Sequence, residues 1–106
     1  MALTNKHLEN KQGIYIIKQI STGKLYVGKS VNVKGRIGQH IKGKATSTSL
    51  ISKAIQEFGC NDFDVRATYQ LQLSQLELVT LEYVMIKRYG SMKPSGFNGY
   101  VEDVLT

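Results

Sequence analysis

Between Gly13 and Ser30 two short β-branched and aromatic runs, "GIYIIKQI" and "KLYVGKS", flank the polar break "STG". Runs of this length around such a break predict a β-hairpin, with Gly23 supplying the positive φ that a tight turn often demands. From Asn32, a plausible N-cap, "VKGRIGQHIKGK" can form a helix, although Gly35 and Gly38 each weaken it by about 1 kcal/mol relative to alanine. A helix that tolerates two glycines often does so for close packing or a nearby ligand. After the polar loop "KATSTS", a second helix puts Leu50, Ile51, Ala54, Ile55 and Phe58 on one face, with Gly59 as its stop. "DFDVRATYQL" alternates Phe63, Val65 and Ala67 with polar neighbours and predicts a third strand. Ser74-Gln75-Leu76-Glu77 has the capping-box pattern and opens the longest helix, which runs to Tyr89 before Gly90.

The order β-β-α-α-β-α predicts a small α+β domain with a three-stranded antiparallel sheet flanked by helices. Residues 1–12 show no convincing period and are expected to form an N-terminal arm. The domain proper spans 13–100, and 101–106 form a C-terminal tail. "SMKPSGFNGY" holds the only proline and reads as loop, with a short extended piece at Phe97–Tyr100.

Composition narrows the class. A chain of 106 residues has room for one domain and one modest core. No apolar stretch approaches the roughly 18 residues of a membrane span, and residues 1–12 lack a signal-peptide apolar region, so no membrane partner is expected. Cys60 is the only cysteine, which excludes an internal disulfide or a Cys-rich zinc site and suits an intracellular, reducing setting. The net charge of +6 changes the picture more, because a basic balance of this size suggests a polyanionic partner, most commonly nucleic acid.

Few polar residues have catalytic potential. Tyr15 and Tyr26 each lie two positions from a glycine, Gly13 and Gly28, although either tyrosine alone could be a plain strand aromatic. Arg36 and His40 are four apart, so they share one face of the first helix, where solvated residues are also common. Glu82 lies in "LVTLEYVMIK" among apolar neighbours, where a carboxylate needs a cation, a metal or hydrogen bonds. Lys87 or Arg88 could supply that cation. Asn98, in "GFNGY", could tie a loop down or contact a ligand.

The joint pattern is more specific than its members. "GIY" at 13–15, "YVG" at 26–28, Arg-x-x-x-His at 36–40, a helical glutamate at 82 and an asparagine at 98 resemble the GIY-YIG nuclease family. The resemblance implies that the two tyrosines face one active site from adjacent strands, with Gly13 and Gly28 letting backbone and substrate approach closely. It implies that Tyr15 acts as, or helps activate, the general base toward water, and that Tyr26 hydrogen-bonds water or phosphate beside it. Arg36 would stabilise charge on the scissile phosphate, and His40 would hold the Tyr15 hydroxyl or relay its proton. Glu82 would anchor one divalent cation, Mg²⁺ or Mn²⁺, and Asn98 would buttress the site.

A single-ion scheme also fits the eight acidic residues, because Asp62, Asp64 and Asp103 do not pair obviously with Glu82. A free tyrosine ionises near ~10, so a tyrosine base at neutral pH needs the cation, Arg36 or His40 beside it.

The function so implied is a divalent-metal-dependent DNA endonuclease hydrolysing phosphodiester bonds. "EYVMIKRYGSMKPSGFNGY" and His40 resemble the phage and mobile-element homing branch, whereas "YVGKS" is similar to the repair branch. A repair-type structure-specific nuclease is therefore one alternative, and a non-catalytic nucleic-acid-binding module on the same scaffold is another. A small RNA-binding sheet would need stacking aromatics, for which only Tyr15, Tyr26 and Tyr69 qualify. Phosphate contacts are expected from Lys29, Lys34, Arg36, Lys42 and Lys44, with Lys18 and Lys24 extending the patch. Some intron-homing members carry a further histidine before the second helix, and "KATSTS" has none. The family usually attaches a separate DNA-binding domain, so a targeting domain, a partner or a transient dimer on DNA is expected. The resemblance places the protein in the cytoplasm of a prokaryotic or phage-infected cell.

Overall fold

The computed structural model describes residues 3–42, 50–69, 72–92 and 95–98. Its elements follow the expected order: strands β1 (Gly13–Gln19) and β2 (Leu25–Ser30), helices α1 (Val33–Lys42) and α2 (Leu50–Phe58), a 3-10 turn at Cys60–Asp62, strand β3 (Phe63–Tyr69) and helix α3 (Gln75–Tyr89). The strands form one antiparallel sheet in the order β2-β1-β3. The near-continuous apolar run of β1 suits this central place, where it is paired on both sides and packed on both faces.

Strand alternation sorts β1 between two layers. Tyr15 and Ile17 join Val33 and Ile37 of α1, Ile51 and Ile55 of α2, and Phe63 and Val65 of β3 in the larger core. Ile14, with Val27 of β2, packs against Leu78 and Ile86 of α3 in the smaller one. The helix ends carry the caps that the sequence implied. Asn32 Oδ1 accepts from the Gly35 N–H at 3.0 Å, and the Ser74–Glu77 capping box closes in both directions at 3.2 and 3.0 Å. Gly90 ends α3 in the left-handed region at φ 60°. The two glycines inside α1 serve close packing: a Cβ at Gly35 would lie 3.0 Å from Asn32 Nδ2, and one at Gly38 3.0 Å from Asn5 Nδ2.

Two expectations need correction, and a third is met only in part by the described residues. Residues 3–12 are no free arm, because Leu3 and Leu8 are buried in the larger core and the main chain of Glu9 and Lys11 accepts from Lys34 and Val33 at the start of α1. Isolated apolar residues in an aperiodic segment find their pockets through tertiary contact, so no period betrays them. Leu50 and Phe58 belong to the expected apolar face of α2 but are exposed, since only its Ile51, Ala54 and Ile55 reach the core. The extended piece at Phe97–Tyr100 amounts, within the described residues, to a single bridge between Met92 and Asn98. Lys44, the "KATSTS" loop, Tyr100 and the 101–106 tail lie outside those residues.

Candidate active site

Cross-strand register explains the first half of the site. Tyr15 stands opposite Gly28, and Ile17 stands opposite Tyr26, so the tyrosines are diagonal neighbours on the α1/α2 face. Their ring centroids lie 6.1 Å apart, and the His40 ring sits 5.9 Å from Tyr15 and 5.7 Å from Tyr26. Tyr15 lies across Gly28, where a Cβ would come within 2.5 Å of its hydroxyl oxygen. At Gly13 a Cβ would lie 2.5 Å from the carbonyl oxygen of Thr68 on β3. Gly28 therefore makes room for the Tyr15 ring, and Gly13 for the close approach of a neighbouring strand's backbone, as expected of it.

His40 reaches this cluster from α1 and is 2% exposed, whereas Arg36, one turn earlier, is exposed to solvent. The Tyr15 hydroxyl lies 3.0 Å from His40 Nε2, the contact the resemblance implied, and Tyr15 also hydrogen-bonds Tyr26. On the far side of the ring, His40 Nδ1 lies 3.0 Å from Ser52 Oγ. Ser52, on the buried face of α2, was not singled out by sequence reasoning. Its one signal was a small polar residue between Ile51 and Ala54 where the pattern expects apolar ones.

Glu82 approaches from α3 and is 7% exposed. Burial pushes its carboxyl up to about 7, opposed by the charge of Lys29, a hydrogen bond from the Lys29 main-chain N–H, and the charge of Arg36. The cations acting on Glu82 are thus Lys29 and Arg36, not Lys87 or Arg88. Lys87 instead lies over the Tyr83 ring, 5.9 Å from its centroid. Burial likewise pushes His40 down to about 4, with help from Arg36, so the ring is neutral at ordinary pH.

Tyr15 is pushed well above 10 by burial first, then by Tyr26, with Arg36 pulling the other way. A tyrosine base needs the opposite shift. A base role for Tyr15 would thus need the cation that the resemblance implies, and Tyr26, only half-buried, is the member of the pair nearer solvent.

Asn98 faces strand β2. Its Oδ1 accepts from the Val27 N–H at 2.9 Å, and its Nδ2 donates to the Val27 carbonyl at 2.8 Å. One side-chain amide thereby replaces a strand partner along the free edge of β2, between Tyr26 and Gly28. Of the expected phosphate contacts, Lys29 and Arg36 adjoin Glu82 electrostatically, while Lys34 and the exposed Lys42 lie at the two ends of α1. Lys18 stands at the far end of the hairpin from Lys29, its strand partner being Leu25. It lines a groove with Ile16, Leu25, Asp64, Arg66 and Tyr89 on the sheet face away from Tyr15. Asp62 is committed to the hairpin turn, accepting from Ser21 and Gln19.

The donor set for a metal is small. No group of three or more His, Cys, Asp or Glu converges among the described residues, which leaves Glu82 as the carboxylate of the site. A buried carboxyl held near 7 is incompletely compensated, and a divalent cation at its oxygens fits that deficit.

A tyrosine pair on adjacent strands, a helical Arg-x-x-x-His and a lone glutamate opposite define the class of small α+β nuclease domains. The chain belongs to the GIY-YIG family, whose catalytic-domain model matches residues 11–97. It is 29% identical over 84 residues to the UvrABC system protein C of Clostridioides difficile (strain 630), a match covering 79% of this chain and 13% of that protein. Over 94 residues it is 31% identical to the same protein of Lactobacillus gasseri, covering 82% of this chain and 14% of the other. The chain thus spans about 13–14% of the length of these curated relatives. Among solved structures it superposes on the catalytic domain of the homing endonuclease I-TevI with a TM-score of 0.67 and 26% identity, covering 85% of this chain and 99% of that one. A mutant form of the same domain gives a TM-score of 0.69 at 25% identity, covering 83% and 92%.

Proposed function

We propose that this domain is an endonuclease that hydrolyses DNA phosphodiester bonds with the help of one divalent cation. The observation that carries the reading is the meeting of a hydrogen-bonded Tyr15–His40 pair with a buried glutamate, both under the influence of Arg36. Hydrolysis of a phosphodiester needs a water made nucleophilic, relief of charge on the phosphate, and a stabilised leaving oxygen. Tyr26, once its hydroxyl has ionised beside the cation and Arg36, orients the water and takes its proton, and the deeper Tyr15 helps to activate it. Tyr15 and His40 stand behind it and hold its oxygen in place. Arg36, exposed on α1, offers a planar fork of donors to the scissile phosphate. Glu82 would hold one Mg²⁺ or Mn²⁺, which would supply positive charge for the phosphate and the leaving 3′ oxygen. Lys29, Lys34, Lys42 and Lys44 follow the DNA backbone and make binding steeply salt-dependent.

The likeness to UvrABC system protein C is compatible with the repair-type alternative, while the I-TevI likeness and His40 favour the phage and mobile-element branch expected from sequence. Both readings share the same chemistry. A DNA-targeting domain, a partner or a transient dimer would choose the site and complete a double-strand cut.

Supercoiled plasmid incubated with Mg²⁺, beside Glu82→Ala and a chelator control, tests this reading. Nicking or linearisation by the wild type, lost in the variant and with chelator, supports it. Intact DNA binding with no cleavage at any Mg²⁺ or Mn²⁺ concentration would overturn it in favour of a binding module.

A further inference from the structure

Ser52 is a hydroxyl placed where α2 otherwise buries apolar side chains, and it is 3% exposed. Its Oγ lies 3.0 Å from His40 Nδ1, while His40 Nε2 lies 3.0 Å from the Tyr15 hydroxyl. A neutral imidazole has one N–H and one lone pair. Both contacts are therefore hydrogen bonds only if one neighbour donates to the ring and the other accepts from it. Tyr15 has a single hydroxyl proton, and Tyr26 is a second hydrogen-bond partner for that hydroxyl. With that proton given to Tyr26, Tyr15 accepts from His40 Nε2–H. Nδ1 is then the lone-pair nitrogen, and the Ser52 hydroxyl donates to it.

We propose that Ser52 is a positioning residue that donates to His40 Nδ1 and thereby fixes the tautomer whose Nε2–H points at Tyr15. The donors then run one way, from Ser52 to His40 to Tyr15 and on to Tyr26, the half-buried member of the pair. Each donation polarises the next group in the chain. Removing the Ser52 hydroxyl frees Nδ1 from its donor, so the ring can take the other tautomer and accept from Tyr15, which turns Tyr15 away from Tyr26. Any effect on cleavage rate rests on the nuclease reading above, whereas the tautomer belongs to the resting protein and is readable without DNA or metal.

Long-range ¹H–¹⁵N spectra of ¹⁵N-histidine protein read it directly, with His7→Gln removing the other histidine. The wild-type ring should show a protonated Nε2 and an unprotonated Nδ1. Ser52→Ala should mix or invert that pattern, and Ser52→Thr, which keeps the hydroxyl, should restore it. In plasmid cleavage Ser52→Ala should lower kcat about tenfold at unchanged KM, the size usual for a group that orients a functional side chain. A protonated Nδ1 in the wild type overturns the assignment, even if Ser52→Ala fails to fold, and so does an unchanged ring pattern in a folded Ser52→Ala. The expected ring pattern in a wild type that cuts no DNA would sustain the positioning role and sink the nuclease reading instead.

Discussion

His40 and Glu82 are buried almost alike, 2% and 7% exposed, yet their surroundings differ. Burial drives both toward neutrality, His40 down to about 4 and Glu82 up to about 7. The histidine has a partner at each ring nitrogen, Tyr15 on one side and Ser52 on the other. Glu82 has the Lys29 main-chain N–H and two nearby cations, which lower its pKa without restoring it. One half of the site is thus satisfied from within, and the other is left short of positive charge. A poorly compensated carboxylate gains more from an arriving cation than one already paired.

The largest effect expected from this contrast is a pair of opposite pH slopes in the metal-free protein. Between pH 4.5 and 6.5, folded Glu82 keeps a proton that the unfolded carboxyl has released, so its contribution to stability falls as pH rises. Over the same interval, folded His40 lacks a proton that the unfolded ring has bound, so its contribution rises with pH. The two slopes offset each other, and the wild type should be nearly flat there. Glu82→Gln leaves the histidine alone. Stability should then rise by about 1.4 kcal/mol per pH unit from about 4 to 6.5, or about 3 kcal/mol in all. His40→Gln should reverse the trend, with stability fully present below 4.5 and lost as pH rises toward about 7. Urea titrations across pH in chelator measure both slopes. Slopes of the same sign in the two variants would break the contrast.

A smaller effect should follow from loosening the strand that carries the Lys29 N–H to Glu82. Asn98→Ala removes both hydrogen bonds to Val27 and leaves a buried N–H and carbonyl without those partners, at a cost of about 2–3 kcal/mol. Equilibrium unfolding measures the loss. If β2 is what presents Lys29 to Glu82, the glutamate slope uncovered by His40→Gln should shrink in the double variant. An undiminished slope would mean that the contact survives without the Asn98 clamp.

How much of this was open to sequence reading depends on whether a feature is local. The hairpin, the Ser74–Glu77 box and the stop at Gly90 are set by neighbours in the chain, and all three are found where the pattern put them. Strand alternation also places Lys18 with Ile16, on the face opposite Tyr15 and Ile17. The packing of Leu3 and Leu8, the exposure of Phe58 and the Ser52–His40 bond are of another kind. Each is decided by which elements meet in space, and no period along the chain records that. The upward push on Tyr15 belongs with them, since it arises first from depth of burial.

The smallest effect separates the two halves most cleanly, at Gly28. The missing side chain there accommodates the Tyr15 ring, and the next residue along β2 is Lys29, whose N–H reaches Glu82. An alanine would press its Cβ against a ring already held by His40, which Ser52 holds in turn. The ring can yield only by giving up that contact, so Gly28→Ala should cost about 1–2 kcal/mol through overpacking. The damage should fall on the histidine half. His40 ring signals should shift in Gly28→Ala, while the glutamate slope, read in a His40→Gln background, stays as steep as before. Loss of that slope as well would mean that β2 transmits the strain to Glu82 and that the two halves form one unit.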